Sequence, residues 1–307
     1  MTTRRREIFT ALILTFGIAA ACVRPGTDEN AASESAVEPS LRLEAGMVLT
    51  LAPTVLGLDL SALRSDEVGL KRLTVTSAES DILGFRWIEK VREETAASRR
   101  RREEFERKPP VAGVGEPTPQ PPEPEFDLRQ RQGRITASGV AESRAMTLPA
   151  LWAEGDHQVE SNSLIWMSRS AFRELRSTRE TEWSLGLLEN PLIQPAAAVL
   201  ALRRGLEALR KRLQESPDER RDLGGIRADE DFSSFRLTVD GRRAEVRTIV
   251  ARNWFAQYVI LDRDDNPLIL EVTLNPISGG ALDVFSPLMA LKSLLGYRVV
   301  AIETGKR

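Results

Sequence analysis

Apolar and polar residues alternate along much of this chain with the period of two that turns one face of a β-strand inward. Gly46–Leu51, Leu73–Thr76 and Gly84–Arg92 read as strands, the last with Phe85 and Trp87 on one face. The pattern then stops. Arg99–Lys108 holds six basic and three acidic residues, and seven of the sixteen residues from Pro109 to Pro124 are proline. Proline at that density removes backbone donors and fixes φ. Residues 93–130 are therefore expected to form a disordered, charged and proline-rich insertion, with at most a short solvated helix ahead of the prolines. Strand patterning resumes at Arg134–Ser143, and neither half looks self-sufficient. The insertion is read as a long connection within one sheet, because closure entropy grows slowly with loop length.

Further on, Ser163–Met167 reads as a buried strand, Ser168 or Ser170 as the cap of a short helix to about Arg176, and Thr181–Leu187 as another strand. Val199, Leu202, Leu206, Leu209 and Leu213 recur at helical spacing and predict a helix over residues 195–216. Residues 217–231 are charged and contain glycine, so a loop is expected. Phe235–Val239 runs into Asp240-Gly241, a type I′ hairpin signal, and Arg243–Ala251 returns. Phe255–Leu261, Leu268–Leu274 and Tyr297–Glu303 read as strands, with a short helix over Ser286–Leu295. The expected fold class is α+β: mainly an antiparallel β-sheet meander with a few attached helices and a long Pro-rich insertion, in a single domain over residues 41–307.

Composition narrows the function classes. The chain has 307 residues, 43 Lys and Arg against 45 Asp and Glu, and a net charge of −2. That balance argues against a general nucleic-acid binder. One Cys rules out an internal disulfide and a Cys-cluster zinc site, and one His rules out a multi-His metal site. No cofactor and no metal site is assigned.

The strongest signal lies at the start. Arg4-Arg5-Arg6 precedes an apolar run, Ile8 to Ala21, closed by Ala19-Ala20-Ala21 and followed by Cys22. This is the shape of a signal peptide over residues 1–21, with an apolar run too short for a comfortable transmembrane helix. With its only Cys directly after the small residues, the segment resembles bacterial lipoprotein precursors, although Ala19 stands where their lipobox usually has Leu. The resemblance covers about 22 residues. It implies cleavage before Cys22 and acylation of that residue, and so a membrane as partner. Losing residues 1–21 would remove three Arg and one Glu and take the net charge to −4. Residues 22–40 read as a polar tether. Val23 after the Cys, rather than Asp, favours the periplasmic face of the outer membrane under the enterobacterial sorting rule.

Candidate chemistry is sparse. Glu182-Trp183-Ser184-Leu185-Gly186 has half of a nucleophile elbow, and the only candidate base is His157, in a stretch that reads as a surface loop. Asp262, Asp264 and Asn266 have the first three ligand spacings of a calcium loop, but Pro267 and Thr273 stand at its glycine and glutamate positions; a turn explains them better. The Trp residues are expected in the core. The function expected is a membrane-tethered, non-enzymatic binding, carrier or assembly protein of the envelope, with a lipid-like ligand or an envelope protein as partner. A scaffold that docks partners through the Pro-rich insertion is the alternative, and an extracytoplasmic hydrolase with a carboxylate site is the third reading. A carrier predicts a large apolar cavity lined by residues 85–91, 164–167, 255–261 and 268–274. A scaffold predicts a filled core.

Overall fold

A computed structural model describes residues 41–55, 58–59, 68–107, 120–185, 225–253, 256–274 and 296–305. Cys22, the signal segment, the tether, the 195–216 helix and the 286–295 helix fall outside these residues.

Strands dominate, and among the described residues there are two α-helices. The strands are β1 (Val48–Val55), β2 (Leu58–Asp59), β3 (Lys71–Ala78), β4 (Ile82–Glu94), β5 (Phe126–Ser138), β6 (Ala145–Met146), β7 (Gly155–Glu160), β8 (Glu180–Glu182), β9 (Ser184–Leu185), β10 (Gly225–Ala228), β11 (Ser233–Val239), β12 (Arg242–Arg252), β13 (Ala256–Leu261), β14 (Ile269–Leu274) and β15 (Gly296–Glu303). The helices are α1 (Ala96–Arg107) and α2 (Arg169–Thr178).

The α+β class holds at this level; the single meander does not. Thirteen strands share one sheet whose order, β7-β5-β4-β3-β1-β15-β14-β13-β12-β10-β8, brings the first strand beside the last. β1 pairs antiparallel with β15 along Val48–Thr54. The C-terminal strands do follow each other as a meander, β11 to β15, and then close on themselves: β11 pairs with β12 and also with β15. An antiparallel run of five leaves its first and last strands pointing the same way, so the closing pair must be parallel, as Thr238↔Ala301 and Val239↔Ile302 are. Asp240-Gly241 makes the first hairpin as predicted, with positive φ at both residues, the signature of a type I′ turn.

The core is one apolar cluster. Lys71, Leu73 and Val75 of β3 alternate inward, as do Phe85 and Trp87 of β4 and Ile135 and Ala137 of β5. α2 covers it with Ala171, Phe172 and Leu175, and its N-cap is Ser168, whose Oγ accepts from the Ala171 N–H at 3.3 Å.

Four expectations need correcting. Residues 93–130 are ordered at both ends: β4 continues to Glu94, the short solvated helix expected ahead of the prolines is α1 over 96–107, and β5 begins at Phe126. The charges that suggested disorder are paired, Arg102 to Glu94, Arg101 to Glu125 and Arg129 to Glu93. Residues 163–167 are buried but not a strand, because their backbone groups split between two neighbours: Ser163 bonds Ala145, while Met167 and Ile165 bond Pro267 and Ile269. The stretch around His157 is strand β7, which pairs parallel with β5. Ile226 and Ala228 lie in strand β10, within the expected 217–231 loop.

Candidate functional site

Apolar alternation ends at Trp87, and the sheet does not. β4 and β5 pair without a bulge over thirteen residues, from Ile82↔Ser138 to Glu94↔Phe126. Their first six pairs lie over the core. From Ile88↔Gln132 outward, β4 and β5 form a ribbon largely in solvent, since β3 pairs with β4 only as far as Glu89 and β7 with β5 only from Gly133. Ion pairs hold this ribbon where apolar burial is missing. Arg129 bridges Glu93 at 3.0 Å and Glu154 at 3.1 Å, which raises the pull of its guanidinium on its proton above normal.

The ribbon ends in α1. Thr95 caps it: the Thr95 side chain accepts from the Ser98 N–H at 3.1 Å and its carbonyl from the Arg99 N–H at 2.9 Å. Ser98 alone of α1 is buried. Its hydroxyl donates to Glu94 at 2.9 Å and accepts from the Glu125 N–H at 3.0 Å, so it staples the helix start to both strands. One face of the ribbon keeps large apolar side chains in water: Ile88 at 38%, Phe126 at 54% and Leu128 at 68% exposure. All three side chains lie on the same face of the ribbon.

At the root of the arm, Lys71 is buried among aromatics. Its ammonium lies 4.5 Å from the Trp87 ring centre, 3.2 Å from the Glu89 carboxylate and 2.6 Å from the Pro149 carbonyl. Burial pushes its pKa down, and Glu89 opposes that. Three interactions hold the ammonium at the root of the arm.

A separate open cleft of about 230 Å³ lies between residues 42–43 and the β13–β14 turn, lined by Arg42, Leu43, Glu79, Trp166, Arg169 and Asp265 among others. Its lining is mixed, with Leu43, Leu83, Val140 and Trp166 beside Arg42, Glu79, Arg169 and Asp265. The strand faces expected to enclose a lipid-like cargo, Phe85, Trp87, Leu164–Met167, Tyr258–Leu261 and Leu268–Val272, pack into the common core.

The other candidates resolve plainly. Asp262 pairs with Arg247 at 2.9 Å and Arg176 at 3.5 Å, Asp264 pairs with Arg176, and the Asn266 amide donates to the Leu41 carbonyl, so these groups serve a turn. Among the described residues no group of three His, Cys, Asp or Glu side chains is placed to hold a metal. His157 contacts the Glu154 carbonyl at 2.9 Å. Ser184 lies in β9, which pairs with β6, and no hydrogen bond joins it to His157. Four tryptophans, Trp87, Trp152, Trp166 and Trp183, are buried, and Trp254 lies outside the described residues. Sequence reasoning missed the arm itself. Its signal was present in Phe126–Gln132, where Phe126 and Leu128 alternate with Asp127 and Arg129 and so keep the strand period.

No protein-family model matches the chain, and comparison with curated proteins and with solved structures finds no significant match.

Proposed function

We propose that this chain is a lipid-anchored, extracytoplasmic protein of the bacterial envelope that binds and assembles rather than catalyses, docking an envelope partner through the β4–β5 arm. The location rests on the resemblance of residues 1–22 to lipoprotein precursors. Acylation of Cys22 would anchor the chain, since each buried CH₂ contributes about 0.8 kcal/mol. The 18 residues from Val23 to Ser40 would let the domain range about 25 Å from the surface. No helix among the described residues is long and apolar enough to cross a membrane.

The observation that carries the docking half is the ribbon itself: ordered, ion-paired and holding α1 at its end. The packed inward faces of β4, β13 and β14 favour this over the carrier version. Replacing residues 96–124 by an Asn-Gly turn tests the proposal. The shortened chain should unfold at an unchanged temperature and co-purify at least tenfold less envelope protein from crosslinked membranes. Full retention of the captured protein would refute the docking role of the arm tip.

A further inference from the structure

Among the described residues no strand pairs with the outer edge of β5 over Phe126–Gln132, and its backbone groups have a definite direction. The Thr95 N–H donates to the Glu125 carbonyl at 2.9 Å across the ribbon, so odd-numbered residues of β5 bond β4. Hydrogen-bonded pairs alternate in an antiparallel ladder. Two bonds elsewhere agree: the Lys90 carbonyl accepts from Gly69 on the far side of β4, and the Ser138 carbonyl accepts from Ser161 on the far side of β5. Phe126, Leu128 and Gln130 therefore aim their N–H and C=O groups outward, and no strand among the described residues meets them. Such an edge is a template for another strand.

We infer that the strand that fits this edge is β5 of a second copy of this chain, antiparallel, with Leu128 on the two-fold axis. In that register every charged pair within Glu125-Phe-Asp-Leu-Arg-Gln-Arg131 opposes unlike charges, whereas each neighbouring register puts one like-charge pair on the axis beside its unlike pairs. With Leu128 opposite itself, Asp127 faces Arg129 of the other copy and Glu125 faces Arg131, each twice. Shifting the centre to residue 127 sets Asp127 against Asp127, and shifting it to 129 sets Arg129 against Arg129. Directly opposed like charges destabilise a strand pair. In the favoured register Leu128 pairs with Leu128, and Phe126 lies diagonal to it, so the exposed apolar side chains meet on one face, while on the other the new contacts share Arg129 and Arg131 with Glu93 and Glu154 and Glu125 with Arg101. The outward N–H and C=O groups of residues 126, 128 and 130 complete six hydrogen bonds. The ladder has natural ends: Pro124 has no N–H to offer, and from Gly133 the edge is taken by β7. This gives the arm a partner and rests on its reading as a docking element, but not on the lipid anchor.

The test uses the full chain in a mild detergent, with mass measured after release into the gas phase over 1–100 µM. A reversible dimer is expected. Gln130→Pro removes one outward donor on an edge and should raise the dimer dissociation constant at least tenfold with an unchanged unfolding temperature. In a Cys22→Ser background, Leu128→Cys should form an intermolecular disulfide on mild oxidation at least tenfold faster than Asp127→Cys or Arg129→Cys, which report the two rejected registers. A monomer throughout, a dimer untouched by Gln130→Pro, or equal crosslinking at all three positions would overturn the inference. Replacing residues 96–124 leaves the edge intact, so loss of envelope capture with the dimer retained would separate the two readings.

Discussion

Trp87→Ala is expected to cost about 3–5 kcal/mol of folding stability, the range for emptying a large buried aromatic site. The residue sits where the core ends and the arm begins. It is fully buried on β4, and the Lys71 ammonium lies over its ring. Across the ladder stands Gly133, where a Cβ would come within 2.8 Å of the Trp87 Nε1 and 2.7 Å of the Gly155 carbonyl, so the indole fills space that only a glycine leaves open. Removing the ring leaves a cavity and also strips one partner from a buried cation. Trp87→Phe should cost less, about 1–2 kcal/mol, because the lost indole N–H has no hydrogen-bond partner among the described residues. Urea denaturation measures both. A loss below about 1 kcal/mol for the alanine variant would mean that the arm root is not packed as described.

The second large effect is alkaline. Tyr258 and Tyr297 are fully buried, and burial raises both phenol pKa values above the ordinary 10.0, with Tyr258 adding to the shift of Tyr297. A raised pKa in the folded state means that the native chain holds a proton the unfolded chain releases. The stabilisation is fully present below pH 10 and is lost as pH climbs from there toward the folded values. Two such groups give a slope of up to about 2.7 kcal/mol per pH unit. Lys71 opposes this, because its folded pKa is lowered below 10.5: its penalty is present at neutral pH and relieved as pH rises toward 10.5. The net expectation is a stability that holds or rises slightly up to about pH 10 and then collapses. Tyr258→Phe should roughly halve the loss per pH unit. At neutral pH it should be neutral or stabilising, because the Tyr258 hydroxyl has no partner among the described residues, whereas Tyr297→Phe should cost about 1 kcal/mol with its 3.0 Å bond to the Ile269 carbonyl. An unchanged slope in Tyr258→Phe would show that this hydroxyl ionises freely in the folded protein.

How much of this was legible in the sequence depends on where each element gets its hydrogen bonds. β3, β11 and β12 alternate against one core face, and Asp240-Gly241 has a turn chemistry that depends on two residues alone, so local pattern sufficed. β7 was hidden because it is a polar edge strand with only Val159 buried, held by parallel pairing with β5. Residues 163–167 are as apolar as a strand, and only the tertiary arrangement decides that their backbone serves two neighbours. The closing of β11 on β15 joins residues more than sixty apart and leaves no periodic trace. The arm was misread for a physical reason: proline and charge do signal chain without a core, but a two-stranded ribbon can persist without one when cross-strand ion pairs and a helix cap take over. The candidate site was therefore half visible. The Pro-rich insertion was located, and the ordered ribbon that carries it was not.

The proposed lipid anchor would fix where the arm works, and one measurement tests it directly: the mass of the N-terminal peptide from chain recovered in the membrane fraction. The account predicts a chain that begins at Cys22, carries acyl mass on that residue, and leaves the membrane fraction when Cys22→Ser is introduced. A chain with an unmodified Cys22 thiol, or one that stays with membranes after Cys22→Ser and a carbonate wash, would contradict it.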